Sequence, residues 1–414
     1  MLSTMKVSIT DLGASGEGVG SLPDGKKIFV EGALPGELVE IEIVENKKSY
    51  CKGKLLSLLE KSPHRRHPPC PLFGDCGGCH LQHLSYEEQL CIKNRRVQEA
   101  LRRLAHIDVK VQPTIPSPII YNYRNKIQLP LLWKNGEKTI GLFRKHSHEI
   151  IPLDNCYIHC EKGEEIFKWI KKNLITPIEY LIIRNGVFTS ETLVLFVGNN
   201  DLDSFAKKIP HVEGVVQVSP GKNNVILGRN FRTLHGRSYI YEELDKKRFK
   251  ISAPAFFQVN SWQANNLFRT AITLADIQKN ETVLDAYCGV GTLSLFAAEK
   301  AKKVIGVDVV PEAIEDAREN AQMNKITNCE FRVGRAEQQQ EKPDVLFLNP
   351  PRKGCETSLL ERCSASKIVY ISCDPATLAR DLALLYNYHI DLVQPLDMFP
   401  QTTHVETVVR LTKK

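Results

Sequence analysis

Apolar and polar residues alternate in three short runs near the N-terminus: Lys6–Thr10, Lys27–Val30 and Glu37–Ile43. Gly13, Gly16, Gly18 and Gly20, then Asp24-Gly25 and Pro35-Gly36, punctuate them. A period of two broken by glycine and proline predicts short strands closing into a small β-barrel over residues 1–56. Residues 62–83 are irregular and rich in Pro, Gly and Cys. A helix is predicted from about Ser85 to Leu104, with Ser85 as N-cap and Glu88 as its capping-box partner. Residues 116–250 carry β-like runs such as Ile127–Leu131 and Thr192–Val197, which predict a mixed antiparallel α+β unit.

From residue 251 onward strand-like and helix-like stretches alternate. Strands are predicted at Thr282–Ala286, Lys303–Asp308, Cys329–Val333, Val345–Leu348 and Ile368–Ser372. That order predicts a parallel, doubly wound sheet. The expected organisation is therefore 1–56, 57–250 and 251–414, with the helical segment 85–112 placed against the last unit.

The composition does not disturb this picture: 42% of the 414 residues are hydrophobic and 25% charged, ordinary for globular domains. The start, MLSTMKVSITDLG, lacks the apolar stretch of a secretory leader, and no apolar run approaches the roughly 18 residues a membrane span needs. A cytoplasmic monomer without a membrane partner is the expectation. The formal net charge of +7 is uneven along the chain. Lys47, Lys48, Lys52, Lys54, Lys61, Arg65 and Arg66 form one basic run, and Lys93, Arg95, Arg96, Arg102 and Arg103 form another. Both are candidate phosphate contacts, since cations clustered in one quarter of a chain suit a polyanion.

The chemistry sits mostly in the C-terminal unit. Asp285-Ala286-Tyr287-Cys288-Gly289-Val290-Gly291 follows a strand and opens a helix. Gly289 and Gly291 let backbone approach a ligand there, and Asp308 ends the next strand where a ribose diol would lie. The third glycine of a dinucleotide fingerprint is missing, so the pattern looks like a class I methyltransferase, with S-adenosylmethionine as donor. Asn349-Pro350-Pro351-Arg352 and Ser372-Cys373-Asp374-Pro375 follow two further strands and face the same crevice. Cys373 is a candidate nucleophile and Glu406 a candidate general base. These groups fit one reaction. Uracil C5 is a poor nucleophile until a thiolate adds to C6, after which it can attack a sulfonium methyl, and a base must then remove the C5 proton.

Cys70, Cys76 and Cys79 form a C-x₅-C-x₂-C loop. It could be a redox pair, a zinc site or three ligands of an iron–sulfur cluster.

Together with Phe256–Asn260 and Thr403–Glu406, these motifs resemble the RNA uracil-5-methyltransferases over nearly the whole chain, most closely the 23S rRNA branch. The resemblance implies a Rossmann-like α/β methyltransferase domain behind an OB-like TRAM barrel and a central α+β domain. It implies Cys373 as nucleophile, Glu406 as proton acceptor, and Gln258, Tyr287, Asp308 and Asn349 lining the donor and uracil site. It also implies a [4Fe–4S] cluster on Cys70, Cys76, Cys79 and Cys156, with Cys160 the competitor for the fourth place. Two positions depart from the family: Asp308 stands where Glu is usual and Asn349 where Asp is usual. The second loses a negative charge near the donor's ammonium group. A tRNA uridine methyltransferase, an exocyclic-amine methyltransferase, and an RNA-binding or ribosome-assembly protein with impaired catalysis are the other readings. The second of these lacks its usual aromatic, because Arg352 follows the two prolines.

Overall fold

A computed structural model describes residues 4–223 and 225–414. Strands β1 (Thr4–Leu12), β2 (Gly18–Ser21), β3 (Lys27–Val30), β4 (Leu38–Asn46) and β5 (Tyr50–Glu60) close a barrel in the order β1-β2-β3-β5-β4. Val7, Ile9, Ile28, Val30, Val39 and Ile41 fill it, the inward half of each alternating run. Closure needs Gly20, where a Cβ would stand 2.4 Å from Val7 Cγ1. The basic stretch after Lys47 is more than a charged tail. It forms β5, whose Cys51 and Gly53 are buried while Lys52 and Lys54 point outward.

Helix α1 (Tyr86–Ala105) packs on the C-terminal unit through Val97 and Leu101. Its expected capping box is absent. Ser85 makes no side-chain cap bond, and its hydroxyl lies 3.5 Å from His64 Nδ1. The helix ends at His106 in the left-handed region; beyond it Val111 bridges to Val393, Gln112 N donating to Val393 O.

The middle of the chain forms a seven-stranded sheet from β6 (Lys126–Lys134), β7 (Glu137–Phe143), β8 (Ile150–Pro152), β9 (Tyr180–Asn185), β10 (Thr192–Val197), β11 (Gly214–Pro220) and β12 (Leu227–Gly236). The order is β12-β11-β10-β9-β6-β7-β8, antiparallel except for β10 beside β11. Helix α2 (Glu161–Asn173) covers one face through Ile166, Phe167 and Ile170, and short α3 (Asp203–Ala206) adds Ala206 to the same layer. The other face (Ile182, Leu193, Leu195, Val216) shares a core with the hairpin β13 (Tyr239–Leu244) and β14 (Lys247–Ser252), and with helix α4 (Ser261–Ala275).

The last sheet holds β15 (Thr282–Asp285), β16 (Lys303–Asp308), β17 (Cys329–Val333), β18 (Val345–Leu348), β19 (Lys367–Ser372), β20 (Tyr388–Leu396) and β21 (Glu406–Lys413), in the order β17-β16-β15-β18-β19-β21-β20. Helices α5 (Thr292–Ala298), α6 (Pro311–Met323), α7 (Thr357–Glu361) and α8 (Pro375–Leu384) connect the parallel strands. Near-continuous apolar runs make these strands legible, since both faces are covered. The strand order turns back between β15 and β18, and a crevice opens there at the strands' carboxyl ends. Strand β20, polar at alternate positions, was not among the predicted strands. With β21 it adds an antiparallel edge.

Among the described residues no helix is long and apolar enough to cross a membrane.

Candidate active site

A cavity of about 1140 Å³ occupies this crevice and extends to the cysteine loop. Its floor is the turn after β15. Gly289 has φ +53, and a Cβ there would meet nothing within 4 Å, so its backbone is open to the cavity. Gly291 differs. At φ +82 its missing Cβ would lie 3.0 Å from Phe331 and 3.1 Å from Ala317, and it does not line the cavity. Its glycine serves helix–sheet packing rather than ligand approach. Asp308 accepts from Gly289 N at 3.0 Å and from Val310 N at 3.0 Å, so one carboxylate braces the glycine turn and the start of α6. Asp285 is buried beneath. Its Oδ2 accepts from Ser294 Oγ at 2.6 Å, and burial pushes its carboxyl up to about 7.

Gln258, Tyr287, Asp308 and Asn349 all line the same cavity. Gln258 is held by its backbone, whose carbonyl accepts from Asn125 Nδ2 at 2.9 Å. Tyr123 does not reach the cavity. It is fully buried, and its hydroxyl donates to Pro400 O.

Cys373 and Glu406 come together through strand register. Ser372 pairs with Thr407 across β19 and β21, which places the next residue of one strand beside the preceding residue of the other. Both line the cavity. Glu406 is 3% exposed, and burial lifts its carboxyl to about 8. Burial, with Glu406 adding to it, lifts the Cys373 thiol to about 11. Arg352 opposes both shifts. In the sequence Arg352 stands out only for replacing an aromatic and for following the rigid Pro350-Pro351 pair. His404 also faces the cavity. Burial lowers its imidazole to about 4, and it packs edge-on against His80 and Phe399 with centroids 5.9 and 6.0 Å apart.

Cys70, Cys76, Cys79 and Cys156 line the far end. Burial pushes Cys79 up to about 12 and Cys156 to about 11, and the neighbouring thiols add to both. Cys160 turns away, donating to Asn185 Oδ1 at 3.2 Å. Among the described residues no three such side chains close round a single ion.

Part of each basic cluster is paired with acids of the same chain, mostly at the surface. Lys47 and Lys52 pair with Glu45, Arg65 with Glu37, and Arg102 and Arg103 with Glu99. Glu45 and Glu99 each serve two cations, so both clusters keep a net positive charge at the surface.

Residues 277–383, which form the glycine turn and most of this sheet, match the methyltransferase domain family, and residues 2–56 match the TRAM domain family. An uncharacterized RNA methyltransferase of Clostridium tetani is 41% identical over 99% of this chain and 96% of its own length. One of Halalkalibacterium halodurans is 40% identical over 99% and 97%. The crystal structure of Pyrococcus abyssi tRNA (uracil-54, C5)-methyltransferase in complex with S-adenosyl-L-homocysteine superposes with a TM-score of 0.78 at 32% identity, covering 99% of this chain and 100% of that one. The chain belongs to the RNA uracil-5-methyltransferase family.

Proposed function

We propose that the protein transfers a methyl group from S-adenosylmethionine to C5 of a uridine in 23S rRNA through a covalent Cys373 adduct. The observation that carries this reading is Cys373 and Glu406 side by side at one end of a cavity whose other wall is the glycine turn. The donor, bound against Gly289, Asp308, Gln258, Tyr287 and Asn349, supplies an electrophilic methyl.

Cys373 Sγ bonds to C6 of a uridine flipped from its stack, and the ring becomes an enolate. C5 then takes the methyl as its bond to the sulfonium breaks, and S-adenosylhomocysteine leaves. Glu406 accepts the C5 proton, the C5–C6 double bond re-forms, and Cys373 leaves as a thiolate. Both groups must be ionised in a buried place. Arg352 offsets part of that cost electrostatically.

The four thiols at the far end fit a [4Fe–4S] cluster better than a single zinc ion. They line the same cavity, and the C-x₅-C-x₂-C spacing is wider than most zinc knuckles. Cys70, Cys76, Cys79 and Cys156 would hold the cluster, which fixes the loop beside the active site.

The likeness to a tRNA uracil-54 enzyme favours a second reading, a tRNA uridine as substrate. Incubation with 5-fluorouridine-substituted 23S rRNA or tRNA transcripts and S-adenosylmethionine decides both points. Wild type should give a denaturation-stable adduct with the rRNA, and Cys373→Ala none. An adduct that survives in Cys373→Ala sinks the mechanism, and an adduct with tRNA alone moves the target. No adduct with either RNA supports the assembly-factor alternative.

A further inference from the structure

Three cations meet at the start of β6 with no acid between them. Lys126 pairs in register with Arg184 on β9, so the two side chains share a face. Arg124 precedes Lys126 by one alternation, and its Nε donates to Lys126 O at 2.9 Å. Arg124, Ile127 and Gln128 line the active-site cavity, and Lys126 lies between them just behind its wall. Arg184 is buried, and its guanidinium donates to Ser252 O at 3.0 Å and Ala255 O at 2.7 Å, directly before the Phe256–Asn260 segment.

Among the described residues Lys126 Nζ has neither a hydrogen bond nor an ion pair, and Arg124 and Arg184 have no ion pair. Asp316, the acid that acts on Arg184, is taken by Ser252 at 2.6 and 2.8 Å and by Lys250 at 3.5 Å. Burial, and after it Arg184 and Arg124, lower the Lys126 amine to about 7. A fold gains nothing from like charges gathered at a cavity's edge without a counter-ion. A bound anion would offset that repulsion.

We propose that Lys126, flanked by Arg124 and Arg184, is a phosphate subsite that grips the RNA backbone next to the methylated nucleotide. The argument for phosphate over the methyl donor is charge. The donor carries a sulfonium and an ammonium against one carboxylate, so its net charge is positive and three unpaired cations repel it. A phosphodiester is an anion that must enter with the flipped base, because base and backbone are covalently joined. The proposal rests on the cavity being where a flipped uridine reacts.

The test uses Lys126→Met and Lys126→Arg in the full chain, with a short uridine oligoribonucleotide as probe. Lys126→Met should bind it about ten-fold more weakly, the worth of one charge-assisted hydrogen bond. The slope of log K against log salt should fall by about 0.7, one phosphate contact on a single strand. Lys126→Arg should restore both. Donor affinity, read by calorimetry with S-adenosylhomocysteine, should not change. Lys126→Met should also melt at a higher temperature than wild type, since it removes an uncompensated cation. An unchanged RNA affinity and salt slope, a fall in donor affinity, or a lower melting temperature overturns the proposal. At saturating oligonucleotide Lys126→Met should still form the 5-fluorouridine adduct. Absence of that adduct in wild type would instead remove the catalytic reading.

Discussion

Lys93 Nζ lies 2.5 Å from Asp397 Oδ1, with both side chains fully shielded from solvent. The same amine donates to Phe399 O at 3.0 Å. The pair fastens α1 to the segment that leads from β20 to Glu406. Four residues before Lys93, Gln89 exchanges hydrogen bonds with Gln401, whose carbonyl accepts the amides of His80 and Leu81 next to Cys79. One strap therefore joins helix, cysteine loop and proposed base.

Lys93→Met should destabilise the protein by about 3–5 kcal/mol, because it leaves Asp397 charged and alone in the interior. The double replacement Lys93→Met with Asp397→Leu should recover much of that loss. Urea unfolding of the wild type, both single variants and the double variant measures the difference. Equal losses in the single and double variants would mean that packing, rather than charge, sets the effect.

Glu406 serves as a base only when ionised, and burial lifts its carboxyl above the ordinary value to about 8. The ionised fraction therefore grows as pH rises through that value. With the Cys373 thiol held up to about 11, kcat/KM should rise about hundred-fold per unit below pH ~8, where both groups must lose a proton, and about ten-fold per unit above it, where only the thiol remains to ionise. Glu406→Gln should accumulate the methylated adduct on ordinary uridine RNA, since the C5 proton then has no acceptor. A profile already flat from pH 6 upward would deny Glu406 the role.

The two glycines of the turn should fail differently. Gly291→Ala meets Phe331 and Ala317 at φ +82 and should cost about 1–3 kcal/mol of stability, with little separate effect on donor affinity. Gly289→Ala has open space around its Cβ. It should lose about 1 kcal/mol from backbone strain, while narrowing the donor site and raising the KM for S-adenosylmethionine. Thermal melts beside donor titrations separate the two losses.

Asn349 lines the donor cavity with a neutral amide where a carboxylate would meet the donor's ammonium directly. Asn349→Asp should tighten donor binding about five-fold, since a charge-assisted bond is roughly twice as strong as a neutral one. Calorimetry with S-adenosylhomocysteine reads this. Unchanged or weaker binding would place the ammonium elsewhere.

Anaerobically prepared protein should show the broad visible absorbance of an iron–sulfur cluster. Cys156→Ala should lose it, whereas Cys160→Ala, whose thiol is engaged with Asn185, should keep it. Bound zinc in place of iron in the anaerobic wild type would refute the cluster assignment.

The chain's local chemistry determined a good deal. Lys303–Asp308, Cys329–Val333 and Val345–Leu348 are strands at the residues predicted, because a strand buried on both faces must be apolar throughout. The glycine turn, the proline loop and the cysteine spacing were legible for a similar reason: each depends on neighbours a few residues away. Long-range packing decided the rest. It assigned Gly291 to Phe331, set acids beside some members of the basic clusters, and brought Arg352 to bear on Cys373 and Glu406. It also set Lys126 against Arg184 across two strands far apart in sequence. Periodicity reveals which face of a strand a side chain occupies, whereas the charge it meets there is fixed only when the strands pair.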